Sequence, residues 1–163
     1  MEFTLKNHTP VKIRRVRPED DGRLIQVFDR CSPETIYQRF LTGLRELTPE
    51  MARHLANVDH CRRLALIAEN ASGPIGVARY EPSDDPGEAE LAIVVVDEWQ
   101  DLGLGRILLR NVLRAAKRNG IRRFRAYLLA ENSRILRLLA TETRIEEWSV
   151  TAGMATLSLT HRH

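Results

Sequence analysis

The stretch that determines the fold is Leu-Ala-Ile-Val-Val-Val-Asp-Glu-Trp-Gln-Asp-Leu-Gly-Leu-Gly-Arg, residues 91–106. Its apolar, β-branched first part predicts the end of a long strand over residues 88–97. Apolar residues at helical spacing then predict a helix over about residues 103–119, with Gly120 at its C-terminal cap. The stretch therefore predicts a strand, a short glycine-containing turn and a helix.

A turn of this kind can bind an anion. The first backbone N–H groups of a helix have no partner within the helix, and the helix dipole adds partial positive charge there. Gly103 and Gly105 would let a phosphate approach the backbone closely. The turn is not a Walker A loop, because no Gly-Lys-Ser/Thr follows, and Leu108 stands where a dinucleotide-binding fingerprint has its third glycine.

The remaining elements predict a mixed α/β or α+β order. Residues 1–10 are predicted to be an N-terminal tail, and residues 11–163 a single domain. Ser32-Pro33 and Thr48-Pro49 are helix-start signals, and Pro18 opens an earlier helix. The other predicted elements are strands at 11–16, 63–69, 74–81 and 121–129, a helix at 131–140, and two strands between residues 145 and 161.

Composition narrows the function classes. The chain has 43% hydrophobic and 29% charged residues and no long apolar segment, which argues against a membrane protein and predicts a cytoplasmic location. The net charge is only +3, which argues against a nucleic-acid partner, although the many arginines also suit a phosphorylated cofactor. Cys31 and Cys61 are predicted to be free thiols, and no His or Cys spacing indicates a metal site.

With the downstream Ala130-Glu131-Asn132, the strand-turn-helix unit resembles the GNAT superfamily of acyl-CoA-dependent N-acyltransferases. The family signature, Gln/Arg-x-x-Gly-x-Gly/Ala after an apolar strand, matches Gln100 to Gly105, and the resemblance covers about residues 11–140. The segment Ser-Pro-Glu-Thr-Ile-Tyr-Gln-Arg-Phe, residues 32–40, is also similar to one in bacterial protein-lysine acetyltransferases. The resemblance implies a central mixed, mostly antiparallel sheet of about seven strands with about four to five helices.

The resemblance also implies acetyl-CoA as co-substrate and assigns residues to it. The backbone of Ile93, Val94 and Val95 would pair with the pantetheine arm, and a backbone N–H near Val95 would polarise the thioester carbonyl. Amides of the turn would hold the pyrophosphate, and Asn132 would contact the cofactor near its thioester end. The cofactor-binding residues implied are Ile93, Val94, Val95, Gln100, Asp101, Leu102, Gly103, Leu104, Gly105, Arg106 and Asn132.

Attack on a thioester requires a neutral amine, whereas a free lysine has a pKa of about 10.4. A base must therefore take the proton, and a carboxylate next to an apolar strand suits this because desolvation raises its pKa. Glu88 and Glu90 precede the apolar end of the strand and share one face. Both are candidate bases, and Glu90 is the closer match to the family.

Two departures from the family pattern concern catalysis and binding. Many members carry a tyrosine after the asparagine as general acid, whereas Ser133 follows Asn132 here. Ser133 or water would then act as the acid, or the reaction would need none. Tyr127 and Tyr80 are alternative acids, but both are expected to pack in the sheet. Asp101 is also unusual, because a carboxylate beside a pyrophosphate is unfavourable unless it turns outward.

These features predict an N-acetyltransferase that acts by direct attack of a primary amine, on a protein lysine or a small molecule. The alternative is a non-catalytic acyl-CoA-binding sensor or interaction domain. The sequence leaves the acceptor open, and it does not decide between a monomer and a homodimer.

Overall fold

The computed structural model describes residues 1–162, which form an eight-stranded sheet in the order β1-β2-β3-β4-β5-β6-β8-β7 with five α-helices. The strands are β1 (Glu2–Thr4), β2 (Pro10–Arg15), β3 (Leu64–Asn70), β4 (Gly73–Pro82), β5 (Glu88–Val95), β6 (Arg123–Leu129), β7 (Thr143–Thr151) and β8 (Met154–His161). The helices are α1 (Asp21–Asp29), α2 (Pro33–Phe40), α3 (Pro49–Ala56), α4 (Leu104–Arg118) and α5 (Ser133–Glu142). Short 3-10 turns cover Pro18–Asp20 and Asp97–Trp99. The predicted mixed, mostly antiparallel architecture is confirmed, with one strand more than the expected seven.

Helices cover both faces of the sheet because the central strands are apolar on both faces. Leu64, Leu66 and Ala68 pack with α4 and α5 in one core, whereas the alternating Ala65 and Ile67 pack with α1, α2 and α3 in the other. No helix within residues 1–162 is long and apolar enough to cross a membrane.

The predicted starts of α2 and α3 are confirmed by their capping bonds. The Ser32 hydroxyl accepts a hydrogen bond from the Thr35 N–H at 3.2 Å, and the Thr48 hydroxyl accepts one from the Met51 N–H at 3.2 Å. Each cap satisfies a donor that the helix itself cannot pair. Both helices pack on the same face of the sheet, and α2 starts next to the end of β5, where Thr35 contacts Asp97 and Gln100.

The N-terminal residues differ from the predicted tail, because Glu2–Thr4 pairs antiparallel with β2. Leu5 is 3% exposed in the core, and Phe3 packs against that core, so alternate apolar residues fix this segment. The Lys6 N–H donates to the Leu102 carbonyl at 3.1 Å. The N-terminal segment is thereby attached to the turn that precedes α4.

The pairing of β5 with β6 is short. All the other strand pairs are antiparallel, whereas β5 and β6 are parallel and pair only from Glu88↔Arg123 to Glu90↔Arg125. On its other edge β5 stays paired with β4 as far as Val95. The strands therefore separate after Glu90, and the edge of β5 that faces β6 has no strand partner from Leu91 onwards.

Candidate functional site

A cavity of about 630 Å³ lies where β5 and β6 separate, and α2, α4 and α5 contribute to its walls. Most residues predicted from the sequence line it: Glu90, Ile93, Val94, Val95, Gln100, Asp101, Gly103, Gly105, Arg106 and Asn132. Three others lie elsewhere. Leu104 is 1% exposed in the core, Leu102 packs against that core, and Glu88 is held in an ion pair outside the cavity lining.

The turn before α4 has a backbone that requires its glycine. Gly103 precedes the first residue of α4 with φ of +92°, a left-handed conformation that side chains rarely adopt. Gly105 follows within the first helical turn, where a Cβ would lie 3.5 Å from Leu138 Cδ2 and 3.8 Å from Ile93 Cδ1. Both glycines line the cavity, so the start of α4 is open to it. An anion can therefore reach these backbone amides.

The Gln100 side chain fastens this turn to three elements. Its amide donates to the Val95 carbonyl at 2.9 Å and to Thr35 Oγ1 at 3.2 Å, and its carbonyl oxygen accepts from Arg134. Val95, Thr35 and Arg134 belong to β5, α2 and α5, respectively. Gln100 thus fixes the position of the turn relative to the end of β5.

Asp101 is exposed and paired with a cation. Its side chain is 70% exposed, and its Oδ1 lies 3.3 Å from Arg134 Nε. Its φ of +62° is a left-handed conformation that aspartate tolerates better than most residues. The ion pair with Arg134 and the exposure to solvent reduce the electrostatic cost of an acid in this turn.

Besides Arg134, two cations lie near the turn, and of these two only Arg106 was singled out from the sequence. Arg106 lines the cavity, but its guanidinium also lies 3.6 Å from Glu142, which is 7% exposed and pairs with Arg110 as well. Lys6 was not predicted as a site residue, but its Cε lies 3.8 Å from the place that a Cβ on Gly103 would take. Nothing in the sequence relates residue 6 to residue 103, because the contact depends on the strand pairing of a segment predicted to be loose.

Asn132 caps α5 at one side of the cavity. Its Oδ1 accepts a hydrogen bond from the Ile135 N–H at 3.3 Å. The side chain lines the cavity, so the predicted contact with the cofactor is compatible with this position and stays a prediction.

The two candidate bases have opposite surroundings. The Glu88 side chain is 3% exposed and binds Arg125 Nε at 2.9 Å and the Ser83 hydroxyl at 2.8 Å. Its pKa is held below the ordinary value, chiefly by the hydrogen bond from Arg125. Glu90 lines the cavity, and partial burial among protein atoms raises its pKa, against the opposing effect of Arg39. Of the two candidates, Glu90 lines the cavity and Glu88 does not, and the role of Glu90 as base stays a prediction.

The two tyrosines considered as acids also differ. Tyr80 is fully buried, donates to the Cys61 carbonyl at 2.6 Å and accepts from Asn119 at 2.7 Å, as expected of a packing residue. Tyr127 was expected to pack in the sheet, but it is 42% exposed and lines the cavity because β6 has already separated from β5. Ser133 is exposed and does not line it.

Comparison with known proteins agrees with this geometry. The sequence model of the Acetyltransferase (GNAT) family matches residues 25–140. An acetyltransferase of Pseudomonas aeruginosa is 34% identical over 69% of this chain and 62% of its own length. Acetyltransferase Pat of Mycolicibacterium smegmatis is 30% identical over 78% of this chain and 39% of its own length. The chain therefore matches less than two thirds of the length of either relative.

Solved structures show the same fold. The GNAT domain of PAT from S. lividans superposes with a TM-score of 0.88 at 25% identity, over 98% of this chain and 96% of that domain. The structure of yncA from Salmonella typhimurium with its cofactor acetyl-CoA superposes with a TM-score of 0.70 at 19% identity, over 94% of this chain and 95% of that one.

Proposed function

This chain belongs to the GNAT acetyltransferase family, and we propose that it transfers the acetyl group of acetyl-CoA to a primary amine in the cavity between β5 and β6. One observation carries the proposal: the pairing of β5 with β6 ends at Glu90, which leaves the rest of that edge of β5 open towards a glycine turn, and the turn opens the start of α4 to the same cavity. An extended pantetheine arm has room on the open edge of β5, and a pyrophosphate has room at the turn.

Different parts of the cavity are proposed to bind different parts of acetyl-CoA. The backbone amides from Asp101 to Arg106 and the nearby Lys6 supply positive potential for the pyrophosphate. The residues from Ile93 to Val95 offer main-chain groups for the pantetheine amides, although Gln100 already binds the Val95 carbonyl. A main-chain N–H near Val95 is the proposed donor to the thioester oxygen. Acetyl-CoA supplies the activated acetyl group when it is bound.

Glu90 is proposed to take the proton from the acceptor amine, directly or through one water molecule. An ordinary glutamate is a weak base toward an ammonium group, so a raised pKa improves the transfer. Partial burial provides that rise, and the Glu81 and Asp84 carboxylates add to it. Glu88 is a poorer candidate because its negative charge is already stabilised by Arg125.

The departing thiolate needs little help, since an ordinary thiol has a pKa of about 8.5. Tyr127 is the tyrosine that lines the cavity, and it is the side chain we propose to reprotonate the thiolate if an acid is used. Both a protein lysine and a small-molecule amine remain candidate acceptors.

The non-catalytic alternative, an acyl-CoA sensor, is motivated by the absence of a tyrosine after Asn132. A single experiment separates the two functions. The chain is incubated with acetyl-CoA and a panel of amino acids, small amines and lysine peptides, acetyl transfer is read by mass spectrometry, and acetyl-CoA binding is measured by calorimetry.

Acetylation of at least one acceptor at a rate above that of a Glu90→Gln variant supports the transferase. Tight acetyl-CoA binding without transfer to any acceptor supports the sensor. Absence of both binding and transfer contradicts the assignment of the cavity to acetyl-CoA.

A further inference from the structure

Arg39, near the end of α2, is a charged side chain of the cavity wall without a counter-ion. It lines the cavity that also holds Glu90, and its guanidinium carbon lies 4.5 Å from the centre of the Phe40 ring. Within residues 1–162 no carboxylate lies within ion-pair distance of it, and no hydrogen bond from it is formed. The aromatic ring covers a face of the guanidinium, whereas its N–H donors point outward in the plane.

Two of the charged groups around Arg39, Glu81 and Arg79, are already paired with each other, whereas Glu90 has no ion pair within residues 1–162. Glu81 accepts from Arg79 Nη1 at 3.1 Å and from Arg63 Nε at 2.5 Å, and Arg79 also donates to the Leu55 carbonyl at 3.1 Å. Glu81, Glu90 and Arg79 are the charged groups that act electrostatically on Arg39. Burial lowers the pKa of Arg39 to about 10, which still leaves it charged at neutral pH. Its donors are therefore available to a ligand.

The position of Arg39 separates it from the proposed pyrophosphate site. α2 starts beside the turn, where Thr35 binds Gln100, and Arg39 is one turn further along, where Glu90 is its neighbour. Glu90 and Val95 are five residues apart on β5, or roughly 17 Å along an extended strand. The pyrophosphate would lie beyond Val95, so the anion that Arg39 can bind belongs to the acceptor.

We infer that the acceptor carries a carboxylate close to the amine that is acetylated, and that Arg39 binds this carboxylate while Glu90 faces the amine. The inference rests on the proposed transferase function and adds a substrate class to it. A guanidinium binds a carboxylate through two parallel hydrogen bonds, which an ammonium group does not reproduce. The carboxylate could belong to a free amino acid or to an acidic residue next to a lysine in a peptide.

The test compares acceptors with and without the carboxylate, and each variant is compared with wild type on the same pair. Suitable pairs are an amino acid and its amide, and two peptides with aspartate or asparagine next to the lysine. Acetylation of each pair is measured with wild type, Arg39→Gln, Arg39→Lys and the control Arg45→Gln, which removes the same charge from an exposed position outside the cavity. Thermal unfolding confirms that each variant is folded, and the pair with the larger preference identifies the source of the carboxylate.

We expect wild type to favour the carboxylate member of a pair through KM. Arg39→Gln should reduce that preference by about 10- to 100-fold, the range for one charge-assisted hydrogen-bond pair. Arg39→Lys should restore only part of it, and Arg45→Gln should keep it.

Three results would overturn the inference: no preference in wild type, an equal loss for both members of a pair, or a shift of only the acid limb of the pH profile. The last result would make Arg39 a positioning residue that acts through Glu90. If no acceptor is acetylated at all, calorimetry with the CoA-bound protein still decides. If the amino acid binds more tightly than its amide and Arg39→Gln removes the difference, the inference holds although the transferase function fails. If no such difference is found, both the inference and the transferase function are contradicted.

Discussion

Replacement of Gly105 by alanine separates the stability of α4 from its capacity to bind a ligand. Gly105 is helical, so the backbone accepts alanine without strain, and the new Cβ would lie 3.5 Å from Leu138 Cδ2 and 3.8 Å from Ile93 Cδ1. Both distances are ordinary van der Waals contacts. Alanine is favoured over glycine in a helix by up to about 1 kcal/mol, so the ligand-free variant should be slightly more stable.

The same methyl group would stand in the cavity, at the place proposed for the pyrophosphate. A phosphate that binds the amides at the start of α4 must approach this backbone closely, and an added carbon prevents that approach. We expect acetyl-CoA affinity to fall at least about tenfold, or about 1.4 kcal/mol. The melting temperature without ligand should rise by up to about 4 °C, because about 1 kcal/mol shifts it by roughly 2–4 °C in a chain of this length.

Calorimetry for acetyl-CoA and thermal unfolding without ligand measure the two effects. The matched control is Gly22→Ala in α1, where the added Cβ meets no atom within 4 Å. It should raise the melting temperature and leave acetyl-CoA affinity unchanged, since Gly22 does not line the cavity. An affinity for acetyl-CoA in Gly105→Ala equal to that of wild type would refute the assignment of the pyrophosphate to the start of α4.

Three further changes test other parts of the site and fold. Glu90→Gln should lower the acetylation rate and flatten its rise with pH. Glu90 acts as a base only when it is deprotonated, and its pKa is raised, so the wild-type rate should rise with pH (the acid limb of the profile) above the ordinary glutamate pKa of 4.5. Glu88→Gln should keep that limb, and loss of the limb from Glu88→Gln instead would reverse the assignment. Lys6→Gln should weaken acetyl-CoA binding by calorimetry about two- to fivefold, with a smaller difference at high salt, whereas the exposed Lys12→Gln should not. Gly76→Ala should lower stability to urea by about 1–3 kcal/mol, because its Cβ would lie 3.1 Å from Leu108 Cδ1 and 3.2 Å from the Val94 carbonyl oxygen; unchanged stability would contradict this packing.

The sequence was most informative where a local pattern determines a local structure. The strand, turn and helix around Gly103 follow from hydrophobic period and glycine placement, and the caps at Ser32 and Thr48 follow from helix-start chemistry. The family of the chain was predicted from the same stretch and is confirmed by the family match.

The sequence was least informative where residues far apart in the chain converge. The neighbours of Lys6 depend on the pairing of β1 with β2, and those of Arg39 depend on α2 lying across β5. The local sequence around Lys6 or Arg39 does not predict either arrangement. The exposure of Tyr127 depends on where two strands separate, which its alternating sequence does not reveal. The ion pair between Glu88 and Arg125 likewise needed the register of β5 against β6.

The short contact between β5 and β6 also has a consequence for local unfolding. Three residue pairs join a block of five strands to a block of three, fewer than in any other interior strand pair of the sheet. Segments with few backbone hydrogen bonds open at a lower free energy than the rest of a fold. Amide hydrogens of residues 91–95 and 126–129 that face the seam should therefore exchange early. A ligand that bridges the seam would slow their exchange and hold the two blocks together as one unit.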